Sequence, residues 1–306
     1  MKILVMGGTR FVGKSLVQKL ISLNFDIDIF TRGNKPTLNG INLIKGDRND
    51  LEGISKLKNK KYDIIFDISG RELSQTKILL ENIKDDFERY VYVSSSGVYK
   101  ENQELPINEN DPIDEYSRHI GKYETEKWLC NNKVPFTSFR PTYIYGPGNY
   151  NKIENWFFER IVSLKKVPIP IDGSLITQLG HVSDLTDAMI KSITYLKTKN
   201  NIYNCSGDRG ITIKGLILTC ADVCNIDRND IEMVSFDHRK IDKKSRKSFP
   251  IRLNHYQTSI SKLKEDLDWE PKFNLFDGLK NSFENDFKFK LNDTFDFDSD
   301  KNLFDL

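Results

Sequence analysis

Thirteen residues near the start of the chain set what the rest can become. Lys2-Ile3-Leu4-Val5-Met6 is an apolar run rich in β-formers, and Gly7-Gly8-Thr9-Arg10-Phe11-Val12-Gly13 comes next without a break. Val12, Leu16, Leu20 and Leu23 then recur at helical spacing. Strand, glycine-rich turn and helix in that order open a parallel α/β sheet. The turn needs glycine because a side chain there would hold a pyrophosphate away from the backbone N–H groups and from the positive end of the helix. Gly7 is read as the turn residue and Gly13 as the point of close helix packing, with Thr9, Arg10, Phe11 and Val12 between them as further dinucleotide contacts. A bare βα turn would look the same over so short a stretch, so the reading depends on the residues beyond the helix.

Those residues alternate strand and helix patterns. Residues 26–30 alternate as a second strand that ends in Thr31-Arg32-Gly33. An acidic residue at that end would bond the ribose 2′-OH of NAD, whereas Thr31 is neutral and Arg32 offers a cation for a 2′-phosphate, which Arg10 could join. The expected cofactor is NADP, with NAD as the alternative. Residues 41–45, 62–68, 89–93 and 134–139 read as four more strands. The third ends in Gly46-Asp47-Arg48, the fourth in Ser69-Gly70-Arg71 and the fifth in Ser94-Ser95-Ser96. Strand ends line the crevice of an open sheet, so Asp47, Arg48, Ser69 and Gly70 join the expected cofactor contacts. The fold expected is α/β, a Rossmann-type doubly wound parallel sheet over residues 1–148 with a return segment near 176–205. A smaller C-terminal α/β lobe over 149–290 and a tail over 291–306 complete it.

Composition removes several alternatives. Lys plus Arg total 46 against 44 Asp plus Glu, so any basic surface must be local. The chain opens directly on a strand and has no apolar run long enough to span a bilayer, and Cys130, Cys205, Cys220 and Cys224 form no C-x-x-C pair. A reduced, cytoplasmic protein is expected, with no membrane partner and a homo-oligomer as an open possibility. Cys220 and Cys224 lack further ligands at usable spacing, so no metal site is expected and both are read as packing residues.

Four segments in order, GGTRFVG, SSSGVY, RPTYIYGPG and HVSDL (His181 to Leu185), resemble the signature of the extended short-chain dehydrogenase/reductases, the nucleotide-sugar epimerase and dehydratase group. Within that group FTRG, KGDR, SGRE, SRHIGK, ENWFF, ITQLGHVSDL and FPIRLNHY resemble the chloroplast stem-loop RNA-binding proteins and their cyanobacterial relatives, over a span from Met6 to about Asp286. The resemblance implies the Rossmann fold, a dinucleotide site, and structured RNA or a nucleotide-sugar as partner.

The resemblance also fixes where to look for chemistry. Epimerases of this kind use Ser or Thr followed by Y-x-x-x-K, because the tyrosine must exchange a proton while hydride moves and a nearby lysine lowers its pKa. Ser96 matches the serine and Lys122 the lysine, with Glu126 four residues on; the tyrosine position then falls on Arg118, which cannot act as a base. A literal Y-x-x-x-K also exists at Tyr123 to Lys127. Moving from position 118 to 123 advances about 7.5 Å and turns about 140° along a helix, so the two registers cannot serve one site. The second leaves only Trp128-Leu129-Cys130 before Asn131-Asn132 breaks the helix, and the Lys122 register is preferred with Tyr123 as the alternative. Tyr116 and His119 lie close in sequence as substitutes, but on a helix His119 points about 100° away from position 118. His181 is expected to orient structure.

Residues 238–247 hold the one dense basic run. Lys243, Lys244, Arg246 and Lys247 could track an RNA backbone or a nucleotide diphosphate, and the run also reads as a solvated loop. Residues 292–306 are acidic with scattered Phe and are expected to be poorly ordered or loosely docked. Two functions remain open on these residues. One is a dinucleotide-binding, RNA-binding protein altered as an epimerase; the other is an NAD(P)-dependent nucleotide-sugar epimerase or dehydratase with a substitute acid/base.

Overall fold

The computed structural model describes residues 1–83, 86–102 and 104–304. The first half alternates as β1 (Lys2–Met6), α1 (Phe11–Ser22), β2 (Asp26–Thr31), β3 (Asn42–Lys45), α2 (Leu51–Ser55), β4 (Ile64–Asp67), α3 (Leu73–Asn82), β5 (Arg89–Val93), α4 (Ile120–Asn131) and β6 (Phe136–Pro141). The second half runs β7 (Tyr143–Tyr145), α5 (Glu154–Val162), β8 (Val167–Pro170), β9 (Ile176–Thr177), β10 (Leu179–His181), α6 (Val182–Ser192), β11 (Asn201–Cys205), β12 (Ile211–Thr212) and α7 (Ile213–Val223). It closes with β13 (Met233–Phe236), α8 (Ser261–Leu267), α9 (Leu275–Asn285) and α10 (Lys301–Phe304).

Seven strands form one parallel sheet in the order β3-β2-β1-β4-β5-β6-β11. Strands covered on both faces have no reason to alternate, and β4, β5 and β6 are buried at every position. Leu16 and Leu20 of α1, Leu185 and Met189 of α6 and Leu263 of α8 cover one face. Ile54 of α2, Leu79 of α3 and Leu129 of α4 cover the other. The winding reverses between β1 and β4, which opens a crevice at the carboxyl ends of the strands. β6 runs two residues beyond the apolar pattern because Arg140, only 2% exposed, is neutralised within the core by Glu126 of α4 at 2.6 Å.

The second lobe packs α5, α7 and α9 around the short pairs β8–β13 and β9–β12, over a core that includes Trp156, Phe158, Leu216 and Leu279. The chain returns to the large sheet twice. β11 is the seventh strand of the sheet, and α8 packs on the same sheet as a second crossing. The tail differs from expectation: it is docked as far as residue 304. Phe295 stacks on Phe287 with ring centroids 5.7 Å apart, Leu303 is fully buried, and Asp300 accepts from Arg160, whose guanidinium lies 3.5 Å from the Trp156 ring centre. The acidic segment is held by apolar residues spaced along it and by one buried arginine.

Candidate functional site

The glycine-rich turn sits at the reversal point. Gly7 and Gly8 adopt φ of 116° and 103°, values that disfavour any side chain, and the Gly7 N–H donates to Phe30 O of β2 at 2.9 Å. A Cβ at Gly13 would lie 2.6 Å from Gly8 N, so α1 and the turn are in backbone contact there. Arg10 is extended, which lets a side chain stand where the group's motif has its middle glycine. Its guanidinium lies 3.7 Å from the ring centre of Tyr150, and Phe11 meets the same ring edge-on. The loop carrying Tyr150 is anchored from below, because buried Glu154 accepts from Gly146 N and Asn149 Nδ2. Thr9, Val12 and Thr31 are partly exposed and Arg32 is exposed.

Not every expected cofactor contact is open. Arg48 is committed within the protein: Nη1 and Nη2 donate to the two oxygens of Asp67 at 2.7 and 2.9 Å, and Nη1 also donates to Ser69 Oγ. Asp67 further accepts from Ser69 N, Gly70 N and the Tyr90 hydroxyl. Burial alone would raise the Asp67 carboxyl, but Arg48 outweighs it and holds the group below its ordinary range. Asp47 accepts from Asn49 N and Asn49 Nδ2, both at 2.9 Å, at an exposed bend.

The helix register is set by a glycine. A Cβ at Gly121 would lie 2.7 Å from Arg71 O, so only glycine lets α4 cross the start of α3, and this contact rotates Lys122 into the crevice. Lys122 Nζ donates to Gly70 O at 3.0 Å and Val93 O at 2.6 Å, the ends of β4 and β5. Burial draws its pKa down to about 8. Tyr123 lies on another side of the helix, among Val98, Tyr99, Ile107 and Tyr256. Arg118 is exposed in the turn before α4, which starts only at Ile120; the helical angle between positions 118 and 119 therefore does not apply, and Arg118 Nε donates to His119 Nε2 at 3.0 Å. The His119 ring packs on Gly97, and burial followed by the charges of Arg118, Lys122, Arg252 and Arg71 pushes its pKa down to about 4. Tyr116 is 96% exposed. Ser96 is buried with its hydroxyl donating to Pro141 O at 2.8 Å. Ser94, two residues earlier, is the buried hydroxyl there without a partner among the described residues.

The basic run divides in two. Arg246, with His238 and Arg239, lines a cleft of about 490 Å³ together with Glu101, Arg252, Leu253 and Asn254, while Lys243, Lys244 and Lys247 stand outside that lining and are exposed. Asp242 shapes the bend by accepting from Lys244 N and Ser245 N. Arg252 ties the cleft to the crevice, its Nη2 lying 3.4 Å from Gly97 O. Sequence reading missed Arg252, Arg71 and Tyr150, since a lone arginine or an exposed tyrosine carries no spacing signal. His181 accepts from Ser183 N and is enclosed by Tyr145 and Phe273, and its neighbour Asp184 accepts from Lys272 N and Phe273 N. Cys220 is fully buried and Cys224 packs against the same core. Among the described residues no cluster of His, Cys, Asp or Glu is placed to hold a metal, and no helix is long and apolar enough to cross a membrane.

A parallel sheet wound outward from a glycine-rich turn, with a lysine reaching the ends of the two neighbouring strands, defines an extended dinucleotide-binding short-chain dehydrogenase/reductase architecture. The chain belongs to the NAD dependent epimerase/dehydratase family, whose model matches residues 3–206. It is 38% identical over 302 residues to the chloroplast stem-loop binding protein of 41 kDa b from Arabidopsis thaliana, covering 94% of this chain and 79% of the relative. A UDP-glucose 4-epimerase from Thermotoga maritima, solved with UDP-glucose, shares the fold with a TM-score of 0.80 at 23% identity, over 95% of this chain and all of that one. The Thermus thermophilus UDP-glucose 4-epimerase, a complex with NAD, does so with a TM-score of 0.76 at 18% identity, over 93% and 98%.

Proposed function

We propose that this protein binds a dinucleotide but has given up tyrosine-dependent proton transfer, and that it uses the arginine-rich face beside the crevice to bind structured RNA. The observation that carries the reading is the register of α4. With Lys122 on Gly70 O and Val93 O, the tyrosine position is Arg118, and the nearest tyrosine on the helix, Tyr123, is packed elsewhere. A guanidinium stays protonated and cannot cycle a proton. The residues present suit the cofactor: two glycines with positive φ leave the turn without side chains that would hold a pyrophosphate off, and Lys122 is placed to reach a ribose over the strand ends. A bound dinucleotide would supply a hydride acceptor. NADP is favoured over NAD by neutral Thr31 and exposed Arg32, whereas Arg10, stacked on Tyr150, is directed elsewhere. RNA binding is supported by the 38% identity to the stem-loop binding protein and by the convergence of Arg71, Arg118 and Arg252 near His119.

Three measurements on the purified protein test this. Titration should give tighter binding of NADP than NAD, weakened by Lys122→Met and unaffected by Tyr123→Phe. A labelled RNA hairpin should bind with an affinity that falls with salt. Interconversion of UDP-glucose and UDP-galactose should be absent or slowed by about 10²- to 10⁴-fold, the usual effect of a missing acid/base. Efficient turnover abolished by Tyr123→Phe would overturn the register. A second reading, an epimerase with a substitute base, is favoured by His119 alone: its ring sits on Gly97 and is unprotonated near neutral pH. Turnover abolished by His119→Ala would support it.

A further inference from the structure

The cleft beside the crevice is built for more than a diffuse charge contact. Arg239 is paired with Asp237, but Arg246 and Arg252 have no salt-bridge partner among the described residues. Arg252 is instead fixed by the Tyr256 ring, 4.4 Å away, and by Gly97 O. Glu101 lines the same cleft and brings one carboxylate to it. Leu253 provides an apolar surface among these charges, with Ile251 buried behind it, and Asn254 brings a side-chain amide to the same lining. The volume of about 490 Å³ lies within the range of small-ligand sites and is of the size of one nucleotide, not of a duplex.

We infer that this cleft receives a single unpaired nucleotide of an RNA loop. The phosphate lies with Arg246 and Arg252, the base rests on Leu253, and its polar edge is read by Asn254 and by Glu101, whose carboxylate accepts from a base amino group. A paired base presents neither face nor edge, so the cleft selects loops over stems; A-form stems offer phosphates and 2′-hydroxyls instead, the kind of contact left to the outward lysines. The inference rests on the RNA reading above and adds to it which part of the RNA is recognised, and by which residues.

Fluorescence anisotropy with a hairpin carrying a single-stranded loop, and with a blunt RNA duplex of equal length, tests it across a salt series. The wild-type protein should prefer the hairpin, and a nucleoside 5′-monophosphate should displace the hairpin but not the residual duplex binding. Arg246→Ala with Arg252→Ala should reduce the log–log salt slope for the hairpin by about 1.4, at about 0.7 per single-strand phosphate contact, and should abolish monophosphate binding measured by calorimetry. Arg246→Ala alone, on an exposed side chain, should give half that change, which guards against misfolding in the double variant. Hairpin binding with a slope carried by Lys243 and Lys244 instead, or equal affinity for the duplex, overturns the inference and leaves the RNA reading standing. No hairpin binding by the wild type at low salt overturns both.

Discussion

Asp67 shows how a residue at the crevice can be structural. Its carboxylate accepts five hydrogen bonds, two of them from Arg48, and its side chain is completely buried. Removing one member of such a pair strands the other, and the cost is about 3 to 5 kcal/mol. Asp67→Asn should therefore lower stability by about that amount in urea unfolding. Arg48→Met should cost a comparable amount, and the double variant less than the sum, because the two act through one interaction. Additive costs would mean that the two residues act independently of each other. Arg48 looks like a phosphate ligand in the string KGDR; what removes it from that role is Asp67, nineteen residues on and in a different strand.

At the scale of the element, α1 and α4 are each positioned by one glycine. Replacing a helix-interior glycine by alanine normally stabilises a helix by about 0.5 to 1 kcal/mol. At Gly13 the added methyl would meet Gly8 N at 2.6 Å and Gly8 Cα at 2.8 Å, and backbone atoms cannot rotate aside. Overpacking of this kind costs about 1 to 3 kcal/mol, so it outweighs the propensity gain. Gly13→Ala should lower the urea midpoint and, by displacing the turn, weaken dinucleotide binding more than tenfold in a fluorescence titration. A more stable variant with intact binding would show that the turn can yield.

Across the whole molecule the two lobes are joined at His181, which caps α6 from the second lobe's side of the junction and lies between Tyr145 and Phe273. Burial pushes its pKa down from 6.5 to about 4, so the folded state binds fewer protons than the unfolded state between those values. Stability is then fully present above about pH 6.5 and is lost as pH falls towards 4, by a total on the order of 3 kcal/mol. Unfolding measured at pH 7, 5.5 and 4.5 should show this slope. His181→Asn keeps a capping side chain and removes the titration, so its stability should be lower at pH 7 but flatter across the same window. An unchanged slope would assign the acid sensitivity to other groups.

The succession of strands and the glycine-rich turn were legible in the sequence because they depend on local pattern: apolar runs of strand length, and glycines where backbone must approach backbone. The sequence matches Lys122 to the group's lysine with Arg118 at the tyrosine position, but Arg118 precedes α4, so helical spacing does not relate the two; the contact of Lys122 with Gly70 O and Val93 O follows from the packing at Gly121. Which cations are free was not legible. Arg48 and Arg140 are neutralised by Asp67 and Glu126, Arg10 is stacked on Tyr150, and Arg252 is left to face the cleft. The docking of the acidic tail was hidden likewise, since Arg160 lies 140 residues from Asp300. Charge is a property of a residue, but its availability is a property of neighbours that only the folded chain brings within a few ångströms.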